Sequence, residues 1–168
     1  MSSKPAKKIC SLLLCLSLLF FYSSPVLGAN VSIGKHNHFT NSNNNVVYGD
    51  DNNIQDSDKN GIKGDQNNIN DGDKNIIAGD KNTINDGDKN GITGDENTIN
   101  QGDENTIAGN NNETSGGNNL TIGDNNKTQG NLNVTNGNGN DTNGLTNITN
   151  GDNNKTQGNL NVTNGNGN

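Results

Sequence analysis

The sequence predicts an all-β fold, a flattened β-solenoid (β-roll) in which short strands of successive coils stack in register. Three observations predict it. An Asn and an apolar residue recur two positions apart, these pairs repeat every seven or eight residues, and a glycine follows most of them. One apolar residue in seven or eight leaves no wide helical stripe, and a glycine inside a helix costs about 1 kcal/mol. A helical fold is therefore excluded.

Residues 1–28 differ from the rest of the chain. Three lysines precede an apolar run over residues 9–21, and small residues then lead to a cleavage site after Gly28. The run is shorter than the roughly 20 residues that span a bilayer. We therefore predict a secretory signal peptide over residues 1–28 and an extracellular protein, in the apoplast if the source is a plant. An uncleaved membrane anchor is the alternative.

The chain that remains after cleavage is acidic and has no cysteine. Removing residues 1–28 takes away three lysines, both cysteines and no acid, so the net charge moves from −7 to −10. The chain has no Arg, and this charge argues against nucleic acid and anionic membranes as partners. Ile, Val, Leu and Phe make up only 22 of these 140 residues, a composition that by itself predicts disorder. The regular order of the residues argues against that conclusion.

The repeat unit is fifteen residues long and has two similar halves. Each half is marked by an Asn two residues before an apolar residue, and the steps between successive Asn residues alternate between eight and seven. The marker residues are Asn37, Asn45, Asn52, Asn60, Asn67, Asn75, Asn82, Asn90, Asn97 and Asn105, followed by Phe39, Val47, Ile54, Ile62, Ile69, Ile77, Ile84, Ile92, Ile99 and Ile107.

Each half-repeat predicts one strand and one turn. Residues two apart in a strand point to the same face, so the Asn and the Ile of each pair both point inward, and Gly supplies the backbone angles of the turn. Coils stacked about 4.8 Å apart place identical residues above one another. We expect a thin Ile core and inward Asn ladders whose amides donate to one neighbour and accept from the other. Residues 45–111 form about five coils, roughly 24 Å long at that spacing, after an N-terminal cap at residues 29–44.

Residues 112–168 carry a shorter unit, Asn-x-Thr-x-Gly-x-x, with a period of seven and no slippage. Residues 123–140 recur unchanged as residues 151–168. The residue between Asn and Thr alternates between charged and apolar, as expected for the two faces of a roll. The charged residues are Glu113, Lys127, Asp141 and Lys155, and the apolar ones are Leu120, Val134, Ile148 and Val162.

Every unit of this tail is also an Asn-x-Thr glycosylation sequon, and Asn30 begins a ninth sequon. A glycan would keep the Asn out of an inward ladder. The sequence leaves two alternatives, a glycosylated and poorly ordered tail, which we favour, or a continuation of the roll with Thr in place of Ile. The predicted glycosylation sites are Asn112, Asn119, Asn126, Asn133, Asn140, Asn147, Asn154 and Asn161.

The alternation of x-x-N-x-[V/I]-x-G with x-x-N-x-[V/I]-x-x-G over about residues 37–109 resembles the ice recrystallisation inhibition (antifreeze) proteins of cold-hardy grasses. The resemblance implies a β-roll, secretion, ice as the partner, and no enzymatic activity. It also implies that ice binds to a flat outward strand face. We predict the binding residues on one face of the roll: Asn68, Asn70, Thr83, Asn85, Thr98 and Asn100.

Two rival functions follow from the same residues. Asp residues also recur once per coil, and "DSDKNG" (56–61) and "DGDKNG" (86–91) match the first half of a calcium loop, but position twelve is Asn and not Glu. Lys59, Lys74, Lys81 and Lys89 stand beside the acids and offer neutralisation. A calcium-binding or glycosylated structural protein of the cell wall or matrix is therefore one alternative. A fibre is the other, because strand edges at the ends of a roll invite end-to-end association of monomers.

No catalytic or metal site is predicted. His36 and His38 have no cysteine or acid cluster nearby, and no nucleophile lies in a recognisable arrangement with a base. We predict a monomer that is not an enzyme and that needs no cofactor or metal.

Overall fold

The structure, a computed structural model, describes residues 28–168, so the predicted signal peptide lies outside the described residues except for Gly28. The described chain contains nineteen strands of three residues and no helix. The strands are β1 Val31–Ile33, β2 His38–Thr40, β3 Val46–Tyr48, β4 Asn53–Gln55, β5 Gly61–Lys63, β6 Asn68–Asn70, β7 Ile76–Ala78, β8 Thr83–Asn85, β9 Gly91–Thr93, β10 Thr98–Asn100, β11 Thr106–Ala108, β12 Glu113–Ser115, β13 Leu120–Ile122, β14 Lys127–Gln129, β15 Val134–Asn136, β16 Asp141–Asn143, β17 Ile148–Asn150, β18 Lys155–Gln157 and β19 Val162–Asn164.

The strands form two parallel sheets that enclose the core. The ten odd-numbered strands make one sheet, here called sheet A, and the nine even-numbered strands make the other, sheet B. Each strand pairs with the strand one coil further along, so Ile69 lies beside Ile84 and, in the tail, Thr128 lies beside Thr142. The predicted all-β solenoid is confirmed. It has about nine coils and not about five, because the tail continues the roll.

The coil shortens from fifteen to fourteen residues where one turn loses a residue. Before the change, the turn from sheet B to sheet A has five residues, as at 71–75, and it contains two non-glycine residues with positive φ, Asp71 and Lys74. In the tail the same turn has four residues, as at 130–133. The strand register changes accordingly, from a separation of fifteen between Thr98 and Glu113 to fourteen between Glu113 and Lys127.

The turn glycines are required by the stacking itself. At Gly79 the φ angle is +145°, and a Cβ added there would lie 2.0 Å from the carbonyl oxygen of Gly94 in the next coil. The same close approach recurs in the turns that lead from sheet A to sheet B along the roll. A glycine at this place is therefore the consequence of coils packed one strand spacing apart.

The core of the first half is a double column of aliphatic side chains. One inward residue per strand is fully buried, and the column begins beside the half-buried Phe39. Its members are Val47, Ile54, Ile62, Ile69, Ile77, Ile84, Ile92, Ile99 and Ile107. The inward positions are those predicted from the sequence.

The Asn ladders form as predicted. The side-chain amide of Asn82 donates to Asn67 Oδ1 at 3.1 Å and to the Gly94 carbonyl at 2.7 Å. Its own Oδ1 accepts the backbone N–H of Asn97 at 2.9 Å and the Asn97 amide at 3.1 Å. The ladder on the sheet A side is less complete. Among the described residues, the buried amide nitrogens of Asn75 and Asn90 have no hydrogen-bond partner.

The core of the tail is a column of threonines. Their side chains are 0–3 % exposed from Thr114 to Thr156, and they belong alternately to sheet B and sheet A. Hydroxyl groups bridge the two sheets, as from Thr121 to Thr128 at 3.0 Å and from Thr128 to Thr135 at 3.0 Å. Thr can replace Ile here because each buried hydroxyl finds another hydroxyl across the core. Of the two alternatives for the tail, the structure has the ordered roll, and the poorly ordered tail that we favoured is wrong.

Two further segments bear on the predictions. The predicted cap at residues 29–44 contains β1 and β2, which pair with β3 and β4, so it forms the first coil. Within residues 28–168, the structure contains no helix that is long and apolar enough to cross a membrane.

Candidate functional site

The roll presents two outward strand faces. In each three-residue strand the middle side chain points inward and the two flanking side chains point outward. The outward residues of one sheet therefore form two columns, with neighbours about 6.7 Å apart along a strand and about 4.8 Å apart between coils. Such a grid is the surface on which a repetitive partner could be matched.

The predicted site residues lie together on three adjacent strands of sheet B. We call this group the sheet B patch: Asn68, Asn70, Thr83, Asn85, Thr98 and Asn100. Thr83 lies beside Thr98 in register, and the amide of Asn85 donates to Asn100 Oδ1 at 3.0 Å. The structure thus assembles the patch. Its threonines are half-buried, and two of the three amides in its second column are hydrogen-bonded to each other.

Sheet B becomes charged beyond this patch. The first outward residues of its last four strands are Glu113, Lys127, Asp141 and Lys155, with acids and lysines alternating in register. Lys127 Nζ lies 3.4 Å from Glu113 Oε2, and both side chains are about half exposed. Opposite charges on neighbouring strands stabilise this register modestly. The outward surface of sheet B without acids or lysines therefore ends at β10.

Sheet A carries the longer uncharged surface. Among the outward residues of its ten strands, Lys63 is the one charged side chain. From β11 onward the first column is apolar or Thr, and the second changes from apolar to Asn. We call this set the sheet A strip: Thr106, Ala108, Leu120, Ile122, Val134, Asn136, Ile148, Asn150, Val162 and Asn164.

Exposed leucines widen the apolar part of the strip. Leu132, Leu145 and Leu160 lie in the turns that lead into β15, β17 and β19, and each is between 46 % and 77 % exposed. Ile148 and Val162, within the strip, are 41 % and 65 % exposed. Contiguous exposed apolar surface on a soluble chain commonly marks an interaction site. Our sequence analysis did not select these residues, although the alternation of charged and apolar residues in the tail was the signal that identifies this face.

The acids on the edges of the roll hold the turns together. Asp65 Oδ1 accepts the backbone N–H of Asp50 at 2.7 Å, and Asp80 Oδ1 accepts that of Asp65 at 2.7 Å. Asn110 takes the same role without a charge, accepting from Asp95 at 2.8 Å. These side chains form Asx ladders that run along the turns. Across residues 28–168, no group of three or more His, Cys, Asp or Glu side chains is arranged to hold a metal ion.

The residues of the calcium-loop match belong to two different ladders, the inward Asn ladder and the Asx ladder of the edge. Asn60 points inward and is 1 % exposed, whereas Asp58 Oδ1 accepts the backbone N–H of Asn43 on the surface. The residues that a calcium loop would bring together therefore point in different directions.

Of the four lysines named beside the acids, Lys81 and Lys89 pair with glutamates one coil further along. Lys81 lies 3.3 Å from Glu96, and Lys89 lies 3.0 Å from Glu104. The hydrogen bond to Glu104 and the charge of that carboxylate raise the pKa of Lys89. His36 Nδ1 lies 3.1 Å from Asp51 Oδ1 on the exposed first coil. All of these pairs are exposed, and each contributes little to stability.

Comparison with known proteins agrees with this architecture. A family model described as the grass antifreeze beta roll matches residues 62–168, nearly two thirds of the chain and all of the sheet A strip. None of the curated proteins compared with the chain matches it. The matched family is one of ice-binding proteins and not of enzymes, so ice binding is the function that the match supports. The stacked coils, the inward Asn ladders and the matched residues together show that this chain belongs to the grass antifreeze β-roll family.

Proposed function

We propose that this protein is secreted, adsorbs to ice crystals outside the cell and slows ice recrystallisation, and that the sheet A strip is the adsorbing surface. The observation that carries the proposal is the composition of the strip, which is uncharged over five consecutive strands in register. At the spacing of parallel strands these five strands extend about 19 Å.

The physical reason is the organisation of water on the strip. Ordered water over a surface is retained when the side chains are short or rigid, are held in place, and do not bind water more strongly than water binds itself. Val134 and Ile148 are β-branched, have few rotamers and lie side by side in register. The amide of Asn150 is held by Asn164 Oδ1 at 3.0 Å. The strip thus offers a regular grid of apolar groups beside a column of asparagines, of which Asn150 and Asn164 are hydrogen-bonded to each other.

The sheet B patch is the second candidate surface. It stays a prediction from the sequence, and the observation in its favour is the identical Thr-Ile-Asn sequence of the adjacent strands β8 and β10. The part of sheet B without acid or lysine ends at β10, after five strands, whereas sheet A has neither from β7 to β19, over seven strands that include the strip. A larger matched area holds more water in register, and for this reason we prefer the strip.

The test is ice recrystallisation inhibition by three charge-matched double variants, measured with a chelator present. Val134→Lys/Ile148→Lys alters the strip, and Thr83→Lys/Thr98→Lys alters the sheet B patch. Asn143→Lys/Gln157→Lys adds the same charge to exposed positions of sheet B outside both surfaces. Circular dichroism and urea midpoints must first show that all three fold.

We expect inhibition to fall at least tenfold in the strip variant and to persist in the other two. Loss confined to Thr83→Lys/Thr98→Lys would transfer the site to the sheet B patch and overturn our assignment of the strip. A folded wild-type protein without inhibition would overturn the ice proposal itself. Secretion is tested separately, by fusing residues 1–28 to a reporter protein and measuring its export.

A further inference from the structure

The sequon asparagines of the tail are structural residues of the roll. Seven of them are at most 2 % exposed, and in each the amide nitrogen donates to the carbonyl of the glycine eleven residues further along. Asn126 is representative, with Nδ2 at 2.7 Å from the Gly137 carbonyl and 3.1 Å from Asn112 Oδ1. The seven are Asn112, Asn119, Asn126, Asn133, Asn140, Asn147 and Asn154.

We propose that N-glycosylation of these seven asparagines and formation of the roll exclude each other, so that the tail is a glycosylation substrate only until its coils dock. The inference rests on secretion from our proposed function, because the secretory route supplies the transferase. In the transfer, Asn Nδ2 forms a bond to the anomeric carbon of a lipid-pyrophosphate-linked oligosaccharide. The bond from that carbon to the pyrophosphate oxygen breaks, the amide loses one proton, and the lipid pyrophosphate leaves.

A glycan cannot be accommodated once a coil has docked. The modified amide nitrogen keeps one hydrogen, whereas Asn126 and Asn140 each use both hydrogens in the ladder. The sugar would occupy the place of a carbonyl that lies 2.7 Å away, inside a turn that packs against the next coil. The threonine of the sequon is also withdrawn, since Thr128 is fully buried and hydrogen-bonded to Thr135.

Modification of one coil affects the coils beyond it. Each strand pairs only with strands one coil away, so a coil that cannot dock removes the surface on which the next coil forms. Residues 45–111, which have Val or Ile at the position of the sequon Thr, contain no sequon. They can therefore fold unmodified and offer an edge to the tail as it emerges, in line with N-terminal parts folding first during synthesis. Docking of the tail on this edge competes with the transferase.

The experiment uses the full chain with a heterologous cleavable signal in place of residues 1–28, so that entry into the secretory lumen does not depend on our proposal for that segment. The tail is prevented from docking by Gly123→Val/Gly137→Val, where added Cβ atoms would lie 2.0 Å from carbonyl oxygens of the next coil. This change leaves every sequon intact. The matched control is Gly61→Val/Gly91→Val, where an added Cβ meets no atom within 4 Å.

Protein from cells and medium is pooled and deglycosylated enzymatically in heavy-oxygen water, which marks each formerly modified Asn. Glycan occupancy is then the marked fraction at each Asn. Cleavage after lysine separates residues 90–127 and 128–155, which hold the seven sites, from Asn30 and Asn161. We expect occupancy at least tenfold higher in Gly123→Val/Gly137→Val than in wild type and in the control. We also expect lectin-bound wild-type molecules that carry a glycan at these sites to lack the β-roll signal in circular dichroism.

Two results would overturn the inference. One is a glycan at any of the seven sites in molecules whose circular dichroism and thermal midpoint equal those of unmodified protein. The other is absence of glycan in Gly123→Val/Gly137→Val. Neither readout involves ice, so a failure here is distinct from a failure of the ice proposal.

Discussion

The direction of hydrogen bonding in the Asn ladder is tested by Asn82→Asp, an isosteric change that removes two donated hydrogens and adds a buried charge. The introduced oxygen faces the Gly94 carbonyl, 2.7 Å from the present nitrogen, and Asn67 Oδ1, at 3.1 Å. Asn82 has no exposed surface. Burial among acceptors raises the pKa of a carboxyl by about 3 units or more, equivalent to about 4 kcal/mol of stability lost when the group is ionised.

The pH dependence fixes the sign of this effect. The introduced carboxyl has an unfolded-state pKa of about 4, and burial raises its folded-state pKa by about 3 units, so the folded state binds the proton more tightly. The destabilisation is therefore full above about pH 7 and shrinks as the pH falls through that value towards about pH 4. At pH 4 a destabilisation of about 1 kcal/mol remains, because the protonated group donates one hydrogen where the amide donates two.

The assay is urea denaturation followed by circular dichroism at pH 8 and pH 4, with wild type at each pH to subtract the contribution of the eighteen native acids. Asn110→Asp is the matched control. It makes the same chemical change at an exposed ladder position where Asp and Asn already alternate, and we expect it to cost less than about 1 kcal/mol at either pH. If Asn82→Asp were as stable as wild type at pH 8, or equally destabilised at both pH values, the ladder would not donate as described.

Three further changes test other parts of the roll. Gly79→Ala should destabilise the protein by about 4 kcal/mol or more, because the added Cβ strains the backbone and meets the next coil. Gly91→Ala should be neutral or slightly stabilising. Denaturation midpoints check both. Thr128→Val should cost about 1–3 kcal/mol because it leaves the Thr121 hydroxyl without its acceptor, and replacing both residues by Val should cost less than the sum of the two single changes. Lys81→Gln, which removes an exposed pair with Glu96, should cost less than about 1 kcal/mol, and the difference from wild type should vanish in molar salt.

The roll could be predicted from the sequence because the fold itself requires the repeat. A coil stacked at one strand spacing places every side chain on its counterpart, so an inward Asn or Ile must recur at the coil period. Asn82 and Ile84 illustrate this, since both lie in columns whose members were identified from spacing alone. Gly79 recurs for the same reason, because its Cβ position coincides with a carbonyl of the next coil.

The tail could not be predicted in the same way, because one tripeptide serves two purposes. Asn126, Lys127 and Thr128 form a sequon, and they also form an inward Asn, an outward residue and an inward Thr of a roll. What selects the roll is the pairing of threonine hydroxyls across the core, and this depends on distances between sheets that no sequence period reveals. The strip was missed for a related reason. Outward positions such as Val134 and Ile148 are free to vary, so their role depends on what surrounds them.

The identity of residues 123–140 and 151–168 acquires a meaning from the strand register. A shift of 28 residues is two coils of fourteen, so the copied segment begins and ends at the same phase of the winding. A duplication of this length lengthens the roll without rotating any side chain to the opposite side, whereas a residue gained or lost within a strand, and not in a turn, would point that strand's inward residues outward. Copying of whole windings in the gene can thus change the extent of the outer surfaces in steps of about 4.8 Å while their pattern stays the same. Proteins that differ by such copies would form a natural series in which the length of the outer faces varies while the residues lining those faces stay the same.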